Sequence, residues 1–251
     1  MQTRSLAVAA VAALITATAV PAGAETTVVA LVASNAVEAM QDAAQTYERS
    51  HPGVKVQISG AGSKVITAQL DQGAAADFVL IATSSAEAAK QLENPVRVLA
   101  NHTVMIVAKN ATGKVKSPKD LANPGVRIAY GTGGSVTAQL ADETIAKLAA
   151  VYGGDYAAKV KANISITKTA IEQVEKAVDD GAADAAIVWA ADADTGKSNV
   201  IELGDKSYYA TFSAAVVKGA KNAGAAADLV ALLRSAEGQA IVKKHHHDPI
   251  K

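Results

Sequence analysis

Two periodicities alternate along the chain from about residue 27 onward. Residues 27–33 (TVVALVA) form an unbroken apolar run, the pattern of a strand buried on both faces. Apolar positions then recur at Ala36, Ala39, Met40, Ala43, Ala44 and Tyr47, the spacing of an amphipathic helix, which His51-Pro52-Gly53 ends. Residues 54–59 (VKVQIS) read as a second strand, 59–64 (SGAGSK) as the turn, and 65–70 as a short helix closed by Gly73. Residues 77–82 (DFVLIA) predict a third strand, followed by a helix from Thr83-Ser84-Ser85 to about Leu92. Strand and helix in alternation imply right-handed crossovers and a largely parallel sheet.

A second series follows. Strands are expected at 103–108 (TVMIVA), 126–130 (VRIAY) and 185–189 (AAIVW). Between them lie a helix with Val136, Leu140, Ile145 and Leu148 inward and another with Ile171, Val174 and Val178 inward. Residues 211–217 (TFSAAVV) form a last strand, and a single helix from about Ala226 to Val242 closes the pattern. The first half lacks a strand that 211–217 supplies. The pattern therefore predicts two α/β lobes, 25–104 with 206–251 and 105–205, joined where the chain crosses and returns. A double crossing of that kind is a hinge.

The N-terminus changes the picture next. Arg4, an apolar run from Leu6 to Val20 and Pro21-Ala22-Gly23-Ala24 make a secretory signal peptide over 1–24, with a small-residue cleavage site. Its apolar core is short for a membrane span. The sequence has no cysteine, so neither a disulfide nor a lipid-bearing cysteine is expected. A soluble, monomeric periplasmic protein is the expectation. Loss of Arg4 with the leader leaves 23 basic against 24 acidic residues, a net charge of −1. That balance argues against nucleic acid or an anionic membrane as partner.

Candidate chemistry lies at the strand-to-helix turns. In a parallel α/β sheet, ligands sit beyond the carboxyl ends of the strands, where helix N-termini present free N–H groups and favour anions. Those positions hold Ser34-Asn35, Gly62-Ser63, Thr83-Ser84, Gly133-Gly134-Ser135 and Thr169. Each is also an ordinary helix cap. Together, at one end of two lobes, they predict neutral donors around a small anion.

SNAVEAMQDAAQTYER, VKVQISGAGSKVITAQLDQGAAADFVLIATS, AIEQVEKAVDDGAADAAIVWAADA and AAADLVALLRSAEGQAIVKKH together resemble the periplasmic molybdate-binding proteins of ABC importers, within the type II periplasmic binding proteins. The resemblance covers most of the mature chain. It implies a two-lobe α/β fold of mostly parallel sheets with a two-strand hinge, an oxyanion ligand with molybdate or tungstate favoured, an inner-membrane ABC permease as partner, and no resident cofactor. Carried across, the family's hydroxyl ligands fall on Asn35, where serine is usual and neighbouring Ser34 stands in reserve, and on Ser63. Its backbone donors fall at Ala82, near Thr137 and near Ile171. A family tyrosine falls on Trp189, which keeps a donor as an indole N–H.

Other readings stay open at this point. Sulfate, phosphate or a small organic anion would use the same turns; hydrogen phosphate also donates a hydrogen bond, and Asp192 or Asp194 beyond Trp189 offers an acceptor. Lys64 gives the turn a nucleotide-loop look, but the serine precedes the lysine, so it fails that motif. A hydrolase would make Ser63 or Ser135 the nucleophile and need His51 or His102, neither of which falls at a strand's carboxyl end, and no nucleophile-elbow motif is present. An exported sensor or adhesion module would share the fold. His245, His246 and His247 suggest a metal ligand set, against which stands their expected place in a partly exposed tail.

Overall fold

The computed structural model of the protein describes residues 25–132, 136–193 and 195–250. The export-signal expectation at 1–24 and the candidates Ser135 and Asp194 lie outside the described residues. Among the described residues, no helix is long and apolar enough to cross a membrane.

The first lobe opens with β1 (Thr26–Ala33), a 3-10 turn at Ser34–Ala36, α1 (Val37–Ser50), β2 (Val54–Ala61), α2 (Ser63–Asp71), β3 (Phe78–Ala82) and α3 (Thr83–Ala88). β1 runs parallel to both β2 and β3. Both faces of this sheet are covered, which explains the unbroken apolar runs. Val28, Ala30, Val32, Phe78 and Leu80 face α1, whereas Leu31, Val79 and Ile81 meet Ile66 and Leu70 of α2. Alanines at 36, 39, 43 and 44 are buried and let α1 approach the sheet closely. Each fully buried large apolar side chain here stabilises by about 1.5–3 kcal/mol.

β4 (Leu92–Ala108) is the element the sequence pattern cut short. It was expected only over 103–108, and α3 was expected to reach Leu92; instead α3 ends at Ala88 and the strand begins at Leu92. Pro95 hides the strand, because proline cannot donate to a ladder. The chain absorbs it with register shifts between Glu93 and Val96 and between Arg97 and Leu99, beside Asn94 in the left-handed region at φ 42°.

β4 joins the lobes. The second contains β5 (Ile128–Gly131), α4 (Val136–Tyr152), α5 (Tyr156–Ala162), β6 (Ile164–Lys168), α6 (Ile171–Asp179), β7 (Ala185–Trp189) and β8 (Ser198–Glu202). β5 is parallel to β6 and β7, while β7 and β8 run antiparallel to the Thr103–Ala108 stretch of β4. Its core joins Val104, Met105 and Ile106 to Leu140, Ile145, Leu148, Val174 and Val178. Buried Asp184 ties β7 to β5: burial raises its pKa, but Arg127 and Lys114 outweigh that and hold it down at about 2. β6, α5 and β8 were absent from the sequence reading. β6 and β8 are half-solvated strands with short apolar signals, and α5 is only seven residues long.

The chain returns through β9 (Tyr209–Val217), which pairs antiparallel with β3 and with the Leu92–His102 stretch of β4, filling the place the first lobe lacked. The closing helix breaks in two, α7 (Ala223–Arg234) and α8 (Ala236–Lys244). Ser235 makes the break: its hydroxyl donates to the Leu232 carbonyl at 2.7 Å and accepts from Gly238 N–H at 3.1 Å. β10 (Asp248–Pro249) then pairs with β4. The histidine run, expected in a partly exposed tail, is thereby tied to the fold: His246 is exposed, but His247 is 3% exposed.

At the crossing, Thr103 N–H donates to the Tyr208 carbonyl at 3.0 Å, Tyr208 N–H to Thr103 Oγ1 at 2.8 Å, and Ser207 Oγ to the Thr103 carbonyl at 2.8 Å. Two segments cross side by side.

Candidate functional site

Parallel pairing sets the first half of the site. Ala33 at the end of β1 lies opposite Ala61 at the end of β2, and β3 runs beside β1, so three strand-to-helix turns open on one edge. Asn35, Ser63 and Ala82 come from these three turns. Ala82 N–H donates to Ser63 Oγ at 2.9 Å. A hydroxyl that is already accepting has its own O–H left to donate, and the accepted bond polarises it in that direction. Ser63 is also the first residue of α2, where the helix end favours negative charge.

Asn35 supplies a second donor. Its Nδ2 is buried and has no hydrogen-bond partner in the protein, a state that costs about 1–3 kcal/mol unless a ligand or water relieves it. Ser34 is exposed beside it, and neither residue caps α1 through its side chain. Thr83 turns the other way: its hydroxyl pairs with Ser213 Oγ at 2.9 Å, buried against β9.

The second half comes from the other lobe. Ile171 is partly buried in the first turn of α6, where N–H groups lack intrahelical partners. Thr137 belongs to the first turn of α4, its side chain outside the described residues. Trp189 ends β7, is 6% exposed, and packs on Tyr208 with ring centroids 5.8 Å apart. The sole tryptophan thus lies against the segment by which the chain returns to the first lobe.

Beyond Trp189 the chain turns through Asp192, whose Oδ2 is buried without a partner. Burial, then the charges of Glu172 and Glu38, push this carboxyl up to about 7. Glu38 stands in the first turn of α1 and Glu172 in the first turn of α6, so carboxylates from both lobes act on Asp192. Behind it, burial and the Asp192 charge push Glu175 up to about 9. Asn101, wholly buried on the crossing strand, accepts from His102 N–H at 2.9 Å and Ala191 N–H at 3.4 Å, while its Nδ2 has no partner. Sequence reasoning missed Asn101 and Glu175, and weighed His247 only as a metal ligand or part of a partly exposed tail. Asn101 lies inside a strand that the pattern did not reveal, Glu175 reads as an ordinary helix-face charge, and His247 reads as tail.

The three adjacent histidines do not converge. His245 meets Asp42 at 2.9 Å, His247 meets the Asn35 carbonyl at 3.0 Å, and His246 is exposed. His51 is engaged with Ser50 and the Tyr47 carbonyl. His102 lies between Asp248 and Glu202. A cavity of about 460 Å³ lined by Lys119, Asn123, Tyr152, Tyr156 and Lys159 opens at the opposite end of the second lobe's strands.

Two α/β lobes crossed by β4 and by the return into β9, with helix N-termini gathered at the strands' carboxyl ends, define a type II periplasmic binding-protein fold. The chain belongs to the family of bacterial extracellular solute-binding proteins, which matches residues 28–247. It is 27% identical over 225 residues to a putative ABC transporter substrate-binding lipoprotein, YvgL, of Bacillus subtilis, covering 85% of this chain and 83% of that one. It is 27% identical over 175 residues to the molybdate-binding protein ModA of Mycobacterium tuberculosis, covering 66% of this chain and 62% of that one. The substrate-binding domain of a putative molybdenum ABC transporter from Clostridium difficile shares the fold, with a TM-score of 0.74 at 22% identity, over 90% of this chain and 100% of that one.

Proposed function

We propose that this protein is a soluble, monomeric periplasmic oxyanion-binding protein that closes two lobes, 25–104 with 206–251 and 105–205, on a molybdate-like ion and delivers it to an inner-membrane ABC permease. The observation that carries the reading is the pair of neutral donors in the first lobe: the unpartnered Asn35 Nδ2, and a Ser63 hydroxyl whose acceptor side is taken by Ala82 N–H. Helix ends at Ile171 and Thr137 would complete the shell from the other side on closure, with Trp189 at the hinge. The kinship with a molybdate-binding ModA and with ABC substrate-binding proteins supports the cargo and the permease. The permanent chemistry is binding alone: no catalytic step is assigned to Ser63, and no resident cofactor is needed.

Closure couples to the ion because only a ligand that touches both lobes binds the closed state more tightly than the open one. Every tetrahedral dianion carries the same charge, so cavity size and donor count set selectivity. Calorimetry of the mature protein against molybdate, tungstate, sulfate and phosphate tests the reading. Molybdate or tungstate is expected to bind most tightly, and no heat of binding from any oxyanion at millimolar concentration overturns it.

A second reading rests on Asp192. An unpaired carboxylate oxygen at the cleft suits a cargo that itself donates a hydrogen bond, such as hydrogen phosphate. In the same titration that reading predicts phosphate as the tightest ligand and its loss in Asp192→Asn.

A further inference from the structure

The C-terminal segment is fastened along the crossing strand. Asp248 and Pro249 pair with Ala100 and Leu99 of β4, His247 N–H donates to the Val242 carbonyl at 3.1 Å, and Ile250 N–H donates to Gln239 Oε1 at 2.7 Å. The imidazole of His247 is thereby held in place before it meets anything else. It points its Nε2 at the backbone carbonyl of Asn35, 3.0 Å away. Since a carbonyl only accepts, this bond puts a ring proton on Nε2, and the backbone of Ala100 on β4 bears on the ring as well. Burial depresses the pKa of the ring to about 4, so it remains neutral with that single proton.

The turn it grips is otherwise held by packing and backbone bonds, with Ala36 fully buried and Val37 N–H donating to the Ser34 carbonyl. Ser34–Ala36 is one turn of 3-10 helix, and neither it nor α1 has a side-chain hydrogen bond at its N-cap. His245 reinforces the same region from the side, meeting Asp42 of α1 at 2.9 Å and Glu38 at 3.7 Å. One residue after His247, Asp248 meets His102 Nδ1 at 2.7 Å, and the other ring nitrogen of His102 lies 3.1 Å from Glu202 on β8 of the second lobe. A single short segment therefore touches the turn that presents Asn35 and the strand that passes between the lobes.

We propose that His247 is a positioning residue for anion capture: its Nε2–H holds the Asn35 carbonyl, which sets the Asn35 amide in the cleft, while Asp248 anchors that hold to the crossing strand through His102. His247 does not touch the ion. The proposal rests on the oxyanion reading for its consequence in binding, but the positioning itself can be read without ligand.

The test compares His247→Leu, which keeps bulk and loses the donor, with His247→Gln, whose amide N–H can reach the same carbonyl. Molybdate calorimetry is expected to show affinity about tenfold weaker in the leucine variant, the equivalent of one lost hydrogen bond, and within about threefold of wild type in the glutamine variant. Hydrogen exchange of the ligand-free proteins is expected to quicken at 34–38 in the leucine variant alone, while the rest of the first lobe is unchanged. Equal affinities in all three proteins, or equal losses in both variants together with uniform loosening of the lobe, overturn the proposal and leave a packing role. If wild type binds no oxyanion, the functional reading fails, and exchange decides the positioning: local quickening in the leucine variant supports it, and unchanged or lobe-wide exchange overturns it.

Discussion

Ser63 is where the anion reading is most exposed to a single substitution. Its Oγ accepts from Ala82 N–H, so alanine both removes a donor to the ion and leaves that N–H without its acceptor. Ser63→Ala is expected to weaken molybdate binding by about 1–3 kcal/mol in calorimetry, and unchanged affinity removes Ser63 from the site. On the same reading, Asp192 would make the opposite kind of contribution. Its carboxyl is pushed up to about 7, so it is largely neutral at pH 6 and largely charged at pH 8. Charge arriving beside a bound dianion repels it, and affinity therefore falls as pH rises through this window, by about three- to tenfold. Asp192→Asn is expected to flatten that dependence; a variant that keeps the wild-type slope places the titrating group elsewhere.

Among the elements, the break between α7 and α8 carries a prediction that involves no ligand. A Cβ on Gly238 would lie 2.0 Å from the Leu232 carbonyl oxygen and 2.7 Å from the Leu233 Cα, both backbone atoms that cannot swing away. Gly238→Ala is expected to destabilise the protein by about 2 kcal/mol or more in denaturant unfolding, against the few tenths gained where alanine fits. An unaltered midpoint would mean that α8 can shift relative to α7 at no cost. This break also shows the limit of periodicity. The apolar spacing of 226–242 continues through Ser235, so the pattern reads one helix, and the interruption comes from side-chain-to-backbone bonds that leave no mark on hydropathy. β4 failed for a related reason: Pro95 and the bulges around it break the signal of a strand whose interior is buried.

For the whole molecule, what could be read from the sequence was alternation. β1, β3 and β7 are covered on both faces and announce themselves as apolar runs, and α1 and α6 bury one stripe each, which suffices for two α/β lobes. The turns at Ser34-Asn35, Gly62-Ser63 and Thr83-Ser84 were legible because parallel strands put all their carboxyl ends on one edge, and Ala82 came from the family resemblance. Long-range contacts were not legible. Thr83 bonds Ser213, Asn101 bonds Ala191, and His247 bonds Asn35 across 130, 90 and 212 positions respectively. The second lobe's candidates, Thr137, Ile171 and Trp189, came from the family resemblance and not from the pattern of apolar positions. A crystal structure of the mature protein grown with molybdate is the decisive observation. The expected result is a tetrahedral ion between closed lobes, about 2.7–3.2 Å from Ser63 Oγ and Asn35 Nδ2 and within the same reach of an N–H at the start of α6. An ion bound away from both side chains, or an empty cleft with the lobes apart at saturating molybdate, would contradict it.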